Sequence, residues 1–248
     1  MQALVMLCVS LYIVAGIGVG VRLLRIAART QGLPEAALGF TLFCFAAISQ
    51  PPAILAEVAK QQGNFDASGI AVVISWVGTF LALVGLAVFT WRAFRPGQRW
   101  AAALALGCIG VDAFAIGGVI QNLRAGQLDA ASLAPHIALS CVAFAVIFGW
   151  GAIEGFFAWS AARKRERLGL ADGSVTNRFW LWSVSSLGGF LADVALIPLV
   201  LSGTDLTKDS SPQLVVALSA LLNAACWFLA FAPPPAYSRW LEARQARA

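Results

Sequence analysis

Long apolar runs alternate with short polar segments along the whole chain. Each run is long enough to cross a hydrocarbon core of about 30 Å as a helix, which takes roughly 20 residues. None alternates apolar and polar residues with a period of two, as a membrane β-strand does. The pattern predicts an all-α polytopic membrane protein. Its seven transmembrane helices are predicted at residues 2–21, 35–59, 68–91, 100–122, 132–162, 177–202 and 212–232.

The seven helices are expected to form a single transmembrane domain over residues 1–232. The fifth run is the longest, so as a helix it should tilt or project beyond the bilayer. Residues 233–248 form a tail that opens with three prolines and then mixes aromatic residues with arginines. Such a short, basic, amphipathic segment is typical of a helix lying on the anionic inner leaflet.

The basic residues divide unevenly between the two sets of connecting segments. One side holds three, which are Lys60, Arg124 and Lys208. The chain has 17 Lys and Arg residues in all, and the other side holds the rest of them, which are Arg22, Arg25, Arg29, Arg92, Arg95, Arg99, Arg163, Lys164, Arg165, Arg167, Arg178, Arg239, Arg244 and Arg247. Because cytoplasmic loops are rich in Lys and Arg, the N-terminus is predicted outside and the C-terminus in the cytoplasm. No basic residue precedes the first run, unlike in a secretory signal, so this helix should be retained.

Composition excludes two broad classes of protein. The chain is 60% hydrophobic and 12% charged, whereas a soluble domain is roughly 45–50% apolar and about 25% charged. The net charge of +5 lies in loops that flank apolar runs, so it indicates membrane topology and not a nucleic-acid surface. All five cysteines fall inside apolar runs without a CxxC pair, which favours packing over disulfides or zinc binding.

Several polar side chains lie inside the predicted spans, where a charge costs roughly 2.5–3.5 kcal/mol on insertion scales. The residues in the middle or outer half of the spans are Gln50, Asp112, His136, Asp193 and Asn223, with Glu57 and Glu154 as secondary candidates. One hypothesis is a polar pocket that opens outward and binds a small ligand or cation. The alternative is that each group is neutral or hydrogen-bonded and only joins neighbouring helices.

Other chemistry finds little support in the sequence. His136 has no assignable nucleophile, and one histidine is too few for a typical metal centre, so no catalytic residue and no metal site are predicted. The seventh run contains no Lys for a Schiff base, so retinal and other cofactors are not expected. The glycines Gly16, Gly18 and Gly20 lie within an apolar helix, where close helix packing through Gly16 and Gly20 is favoured over dinucleotide binding. The same packing role is predicted for Gly107, Gly110, Gly117 and Gly118.

Three loop motifs resemble an uncharacterised group of bacterial seven-helix membrane proteins. They are VRLLRIAARTQGLPE after the first run, FTWRAFRPGQRW after the third, and RLGLADGSVTNRFWLW from Arg167 to Trp182. In that group the last loop reads GLADP, whereas Gly173 stands here at the proline position, which makes the loop less rigid. The resemblance implies a bacterial inner-membrane location and a relation to the sensory regions of signalling proteins. It assigns no catalytic or binding residue.

The sequence therefore leaves three functions open. A sensor-like protein would couple the polar pocket to a cytoplasmic partner through the basic segment that contains Arg163, Lys164, Arg165 and Arg167. A small-solute or proton-coupled transporter would use a carboxylate site near the bilayer midplane, with helices interrupted at Pro51, Pro52 and Pro198. A structural membrane subunit would need neither a pocket coupled to a partner nor a carboxylate transport site. The sequence does not indicate the oligomeric state.

Overall fold

The computed structural model describes residues 2–127, 130–170, 172–204 and 209–245. The side chains of Gln2, Ala130, Arg244 and Gln245 are not part of that description. Lys208 and Arg247, which enter the charge analysis, and Ala171 of the GLAD loop lie outside the described residues.

The described residues are almost entirely helical and contain no strand. The helices are α1 (Gln2–Thr30), α2 (Leu33–Phe43), α3 (Gln50–Gln61), α4 (Phe65–Phe94), α5 (Arg99–Arg124), α6 (Ala130–Arg167), α7 (Gly173–Leu201), α8 (Ser210–Phe231) and α9 (Pro235–Gln245). A π-helical turn, Cys44–Ser49, joins α2 to α3 without a break. Counted with α2 and α3 as one span, seven segments of the described chain are long and apolar enough to cross a membrane. The predicted all-helical class and the seven spans are thus confirmed.

The helices extend beyond the apolar runs from which they were predicted. Backbone hydrogen bonding continues through charged residues, so hydropathy marks the apolar part of a helix and not its ends. The first helix, for example, continues to Thr30 and ends where Gln31 adopts a positive φ of 55°. Helix α6 has 38 residues, or about 57 Å at 1.5 Å per residue. It exceeds the hydrocarbon thickness, as the sequence predicts.

Consecutive helices pack as antiparallel neighbours, and α1 also packs against α8 to close a ring. The most extensive pairing joins α6 to α7, whereas α5 packs mainly against α4 and α6. Because the helices alternate in direction, the turns that they form lie alternately at two ends of the bundle. Of the described basic residues, Lys60 and Arg124 lie at one end. The C-terminus of α1, the α4–α5 turn, the α6–α7 turn and α9 lie together at what we call the basic end.

Two contacts across the basic end join its segments. Arg95 in the α4–α5 turn pairs with Glu154 of α6, and Tyr237 of α9 donates a hydrogen bond to the Asn177 Oδ1 of α7 at 3.1 Å. Helix α9 therefore rests against the start of α7.

Glycine lets α1 approach α2 closely. A Cβ added at Gly20 would lie 3.0 Å from the Gly39 carbonyl oxygen, and one added at Gly16 would lie 2.6 Å from the Ala46 Cβ. The predicted packing role of these two residues is confirmed. It is wrong for Gly107, Gly110 and Gly117, where an added Cβ meets no described atom within 4 Å. Glycine spacing alone does not reveal which face of a helix meets a neighbour.

Candidate functional site

A cavity of about 180 Å³ lies among α1, the π-helical turn, the start of α3, α6, α7 and α8. We call it the Asp193 cavity. Its described lining consists of Val9, Tyr12, Phe45, Gln50, Phe148, Gly189, Ala192, Asp193, Leu196, Val216, Ser219, Ala220, Asn223 and Trp227. Along their helices most of these residues lie near the middle of the spans or toward the end remote from the basic end, whereas Trp227 lies nearer the basic end.

Asp193 is the one acidic residue in this described lining. Its Oδ2 atom is buried and has no hydrogen-bond partner among the described residues. Gly189 lies one turn earlier on the same face of α7, and a Cβ there would stand 2.9 Å from the Phe148 ring. The glycine thus lets α6 bring Phe148 against α7 beside the carboxyl. Asp193 as a residue is half-buried, but a buried carboxyl oxygen without a partner is costly, so its Oδ2 requires an explanation.

Asn223 forms part of the wall and is already hydrogen-bonded. Its Oδ1 accepts from the Ser185 hydroxyl of α7, and its Nδ2 donates to the Ser219 carbonyl at 2.9 Å and to the Ser219 hydroxyl at 3.2 Å. These bonds tie α8 to α7 and fix the amide. For Asn223 the arrangement matches the joining role of polar residues in membrane helices.

The π-helical turn brings Gln50 and Phe45 to the cavity. Gln50 directly follows the turn as the first residue of α3. Pro51 and Pro52 come next, and they lack the N–H groups that a regular α-helix would use there. Single π-helical turns of this kind often occur at functional sites. The turn is held from α4, since the Ser49 and Thr79 hydroxyls lie 2.8 Å apart in a hydrogen bond.

Aromatic rings form much of the remaining wall. Tyr12 and Trp227 lie side by side with ring centroids 5.3 Å apart, which joins α1 to α8. Phe45 and Phe148 both contact Phe144, at centroid distances of 5.3 Å and 6.0 Å. Sequence reasoning missed Tyr12. The available signal was that the chain contains only two tyrosines and that this one lies within a span.

Asp112 and His136 do not reach this cavity. Asp112 of α5 is 0% exposed, and both its carboxyl oxygens lack a hydrogen-bond partner among the described residues. Ser140 of α6 lies beside this carboxyl without the geometry of a hydrogen bond. The His136 ring occupies the space that a side chain at Gly118 would need, and its buried Nδ1 is unpartnered in the described part. Both residues belong to the α5–α6 interface.

The two aspartates within the spans lie in different places. Asp112 belongs to α5, which packs mainly against α4 and α6, whereas Asp193 lines the cavity from α7. The two carboxyls therefore do not share one pocket. The structure brings together Gln50, Asp193 and Asn223 from the predicted set, and it places the other two main candidates elsewhere.

The secondary candidates lie near the two ends of the bundle. Glu57 of α3 is half-buried and accepts a hydrogen bond of 3.1 Å from Gln61. Glu154 of α6 is buried, with its Oε1 2.6 Å from the Arg95 Nε and 3.2 Å from the Trp150 Nε1. The Glu154 carboxylate raises the pKa of the Arg95 guanidinium above its ordinary value, through the hydrogen bond first and then through its charge. This pair joins helices and does not line the cavity.

The basic segment lies in the last turns of α6. Arg163, Lys164, Arg165 and Arg167 are all exposed, and the Arg163 guanidinium stands 5.3 Å from the centroid of the Trp159 ring. The α6–α7 turn follows, and Asp172 caps α7 by accepting a hydrogen bond from the Ser174 N–H at 2.8 Å. A cluster of exposed cations at a membrane boundary suits contact with anionic lipid or an acidic partner.

Comparisons with known proteins give no further assignment. No family model matches the chain, and no curated protein or solved structure matches it either.

Proposed function

We propose that this protein is a seven-helix membrane sensor that binds a small ligand in the Asp193 cavity. The observation that carries the proposal is the buried, unpartnered Asp193 Oδ2 in a cavity bounded by six segments. Burial of an unsatisfied carboxyl lowers stability, so a complementary ligand group would offset a cost that the ligand-free fold bears. A concave site with few polar groups among apolar ones is typical of small-molecule recognition.

The α6–α7 pair supports a link from this cavity to the basic end. Near the middle of the pair, the Ser183 hydroxyl donates to the Ala152 carbonyl at 2.9 Å. A Cβ at Gly155 would stand 2.8 Å from the Trp182 ring, so the two helices are in close contact. The same two helices carry Phe148 and Asp193 to the cavity. A ligand that shifts α7 would therefore also move the turn that follows the exposed cations of α6.

We further propose that the basic end faces the cytoplasm of a bacterial inner membrane, as the excess of Lys and Arg supports. Gln62→Cys, at the opposite end, should react with a membrane-impermeant maleimide in intact cells. Arg167→Cys should react only after the cells are permeabilised. The native cysteines within the described chain lie in the spans, so the unmodified protein is the background control. The reverse labelling pattern would refute this orientation.

A ligand screen tests the sensor. The protein in lipid nanodiscs is heated with a panel of small cations, amines, amino acids and neutral solutes. A ligand should raise the melting temperature, by mass action on the folded state, and Asp193→Asn should abolish the rise. Asp112→Asn is the matched control, because this carboxyl also lies within a span but does not line the cavity. A hit should also change amide hydrogen exchange in residues 163–178.

A transporter is the second candidate, because the second span has a π-helical turn and Pro51 beside the cavity and α7 contains Pro198, features at which a membrane helix can depart from regular geometry. Interrupted helices near a central site are common in transporters. Flux of a bound solute into proteoliposomes, lost in Asp193→Asn, would favour transport over sensing. If no panel member stabilises the protein and Asp193→Asn alters stability alone, a structural subunit is the better description.

A further inference from the structure

We propose that the ligand of the Asp193 cavity is a small organic cation, either a quaternary ammonium or a protonated amine. This inference rests on the proposed function, because it assigns a chemical class to the ligand at the same site. Its starting point is charge. The described lining contains one carboxyl and no Lys, Arg or His. A carboxylate at this depth requires a positive partner, and the protein supplies none within the described lining.

The surrounding chemistry selects the kind of cation. Four aromatic residues line the cavity, namely Tyr12, Phe45, Phe148 and Trp227. Aromatic faces attract cations, and clusters of such rings are a common means of recognising quaternary ammonium groups. Trp227 and Tyr12 form one continuous wall with ring centroids 5.3 Å apart. An ammonium group in contact with this wall and with Asp193 would gain both kinds of attraction.

The oxygen atoms of the site argue against a hard metal ion. Such ions require many oxygen ligands, about six to eight for Ca²⁺. The Asn223 Oδ1 is already occupied by the Ser185 hydroxyl, and the Ser219 hydroxyl accepts from the Asn223 amide. Within the part of the chain that the structure describes, no group of three His, Cys, Asp or Glu residues could hold a metal. An organic cation makes no such demand on oxygen.

The volume of the cavity, which is partly open, suits a small ligand. Drug-sized ligands occupy sites of about 300–1,000 Å³, whereas this cavity measures about 180 Å³. The cavity therefore suits a cation with only a few heavy atoms, and tetramethylammonium is a suitable probe.

The test measures equilibrium binding of radiolabelled tetramethylammonium to the full chain in nanodiscs. Asp193→Asn keeps the shape of the side chain and should weaken binding about 30-fold, since a charge-assisted contact is lost. Tyr12→Leu should weaken it about 10-fold through loss of a ring, whereas Tyr12→Phe keeps the ring and should bind normally. Asp112→Asn should leave binding unchanged. If Asp193→Asn fails to fold, the comparison of Tyr12→Leu with Tyr12→Phe still tests the proposal.

The uncharged competitor tert-butanol separates this inference from the proposed function. It has a similar branched shape, and we expect it not to displace the labelled cation. If tert-butanol binds at the cavity and tetramethylammonium does not, the cation assignment is overturned while a ligand site remains. Equal binding to the unmodified protein and to Asp193→Asn would also overturn it. If tetramethylammonium does not bind at all, the cation assignment is overturned as well, as expected if a proton alone neutralises Asp193. The solute panel would then decide the proposed function.

Discussion

Gly78→Ala is expected to lower the melting temperature of the purified protein by about 5–10 °C. Gly78 of α4 faces the π-helical turn. A Cβ at this position would lie 2.7 Å from both the Ile48 carbonyl carbon and the Ser49 nitrogen. These are backbone atoms, so no side-chain rotation can relieve the clash. Overpacking of this kind typically costs about 1–3 kcal/mol. The turn would have to move away from α4, and the bond between Ser49 and Thr79 would be strained.

Gly110→Ala on α5 is the matched control for this prediction. An added Cβ there meets nothing within 4 Å, and alanine favours the helix by about 1 kcal/mol over glycine. Its melting temperature should stay the same or rise. Thermal unfolding followed by intrinsic fluorescence in one detergent compares the two variants. Equal melting temperatures would show that α4 does not hold the π-helical turn as closely as the structure has it.

Arg95→Gln is expected to destabilise the protein more than Glu154→Gln, although both remove the same ion pair. Loss of the arginine leaves the buried Glu154 carboxylate with the Trp150 N–H as its remaining described partner. Loss of the carboxylate leaves a guanidinium whose side chain is 38% exposed and can be hydrated. An uncompensated buried charge is the more costly of the two outcomes. The variant with both substitutions should recover part of the loss.

Melting temperatures of the single and double variants test this asymmetry as a double-mutant cycle. Arg99→Gln removes an exposed charge from the same end of the bundle and controls for the change in net charge. It should have little effect, as is usual for exposed ionic groups. A larger loss in Glu154→Gln than in Arg95→Gln would contradict the assignment of the buried partner.

Properties that follow position along a helix could be predicted well from the sequence. The seven spans, the excess length of α6 and the depth of Asp193 all depend on counting residues along one axis. The helix ends could not be predicted as well, because α1 continues through Arg22, Arg25 and Arg29 to Thr30. Charged residues at a membrane boundary stop an apolar run but do not stop backbone hydrogen bonding.

The membership of the cavity depends on which helices are neighbours, and this the sequence does not specify. Asp112 has the depth expected of a pocket residue, but α5 packs mainly against α4 and α6, so its carboxyl cannot reach α7. Tyr12 was overlooked because its polar group is small beside its apolar ring. The partnership of Arg95 with Glu154 joins residues far apart in sequence, so hydropathy could not have revealed it.

The length of α6 has a mechanical consequence. From Phe148 at the cavity to Arg163 at the basic end, the helix has 15 further residues, or about 22 Å of continuous rod. If such a rod pivots near Phe148 by about 5°, its far end moves by about 2 Å. A small tilt inside the bilayer is thus converted into a displacement of roughly an atomic diameter outside it. The four exposed cations, at the far end of α6, would then move farthest, while the aromatic residues of the cavity stay near the pivot.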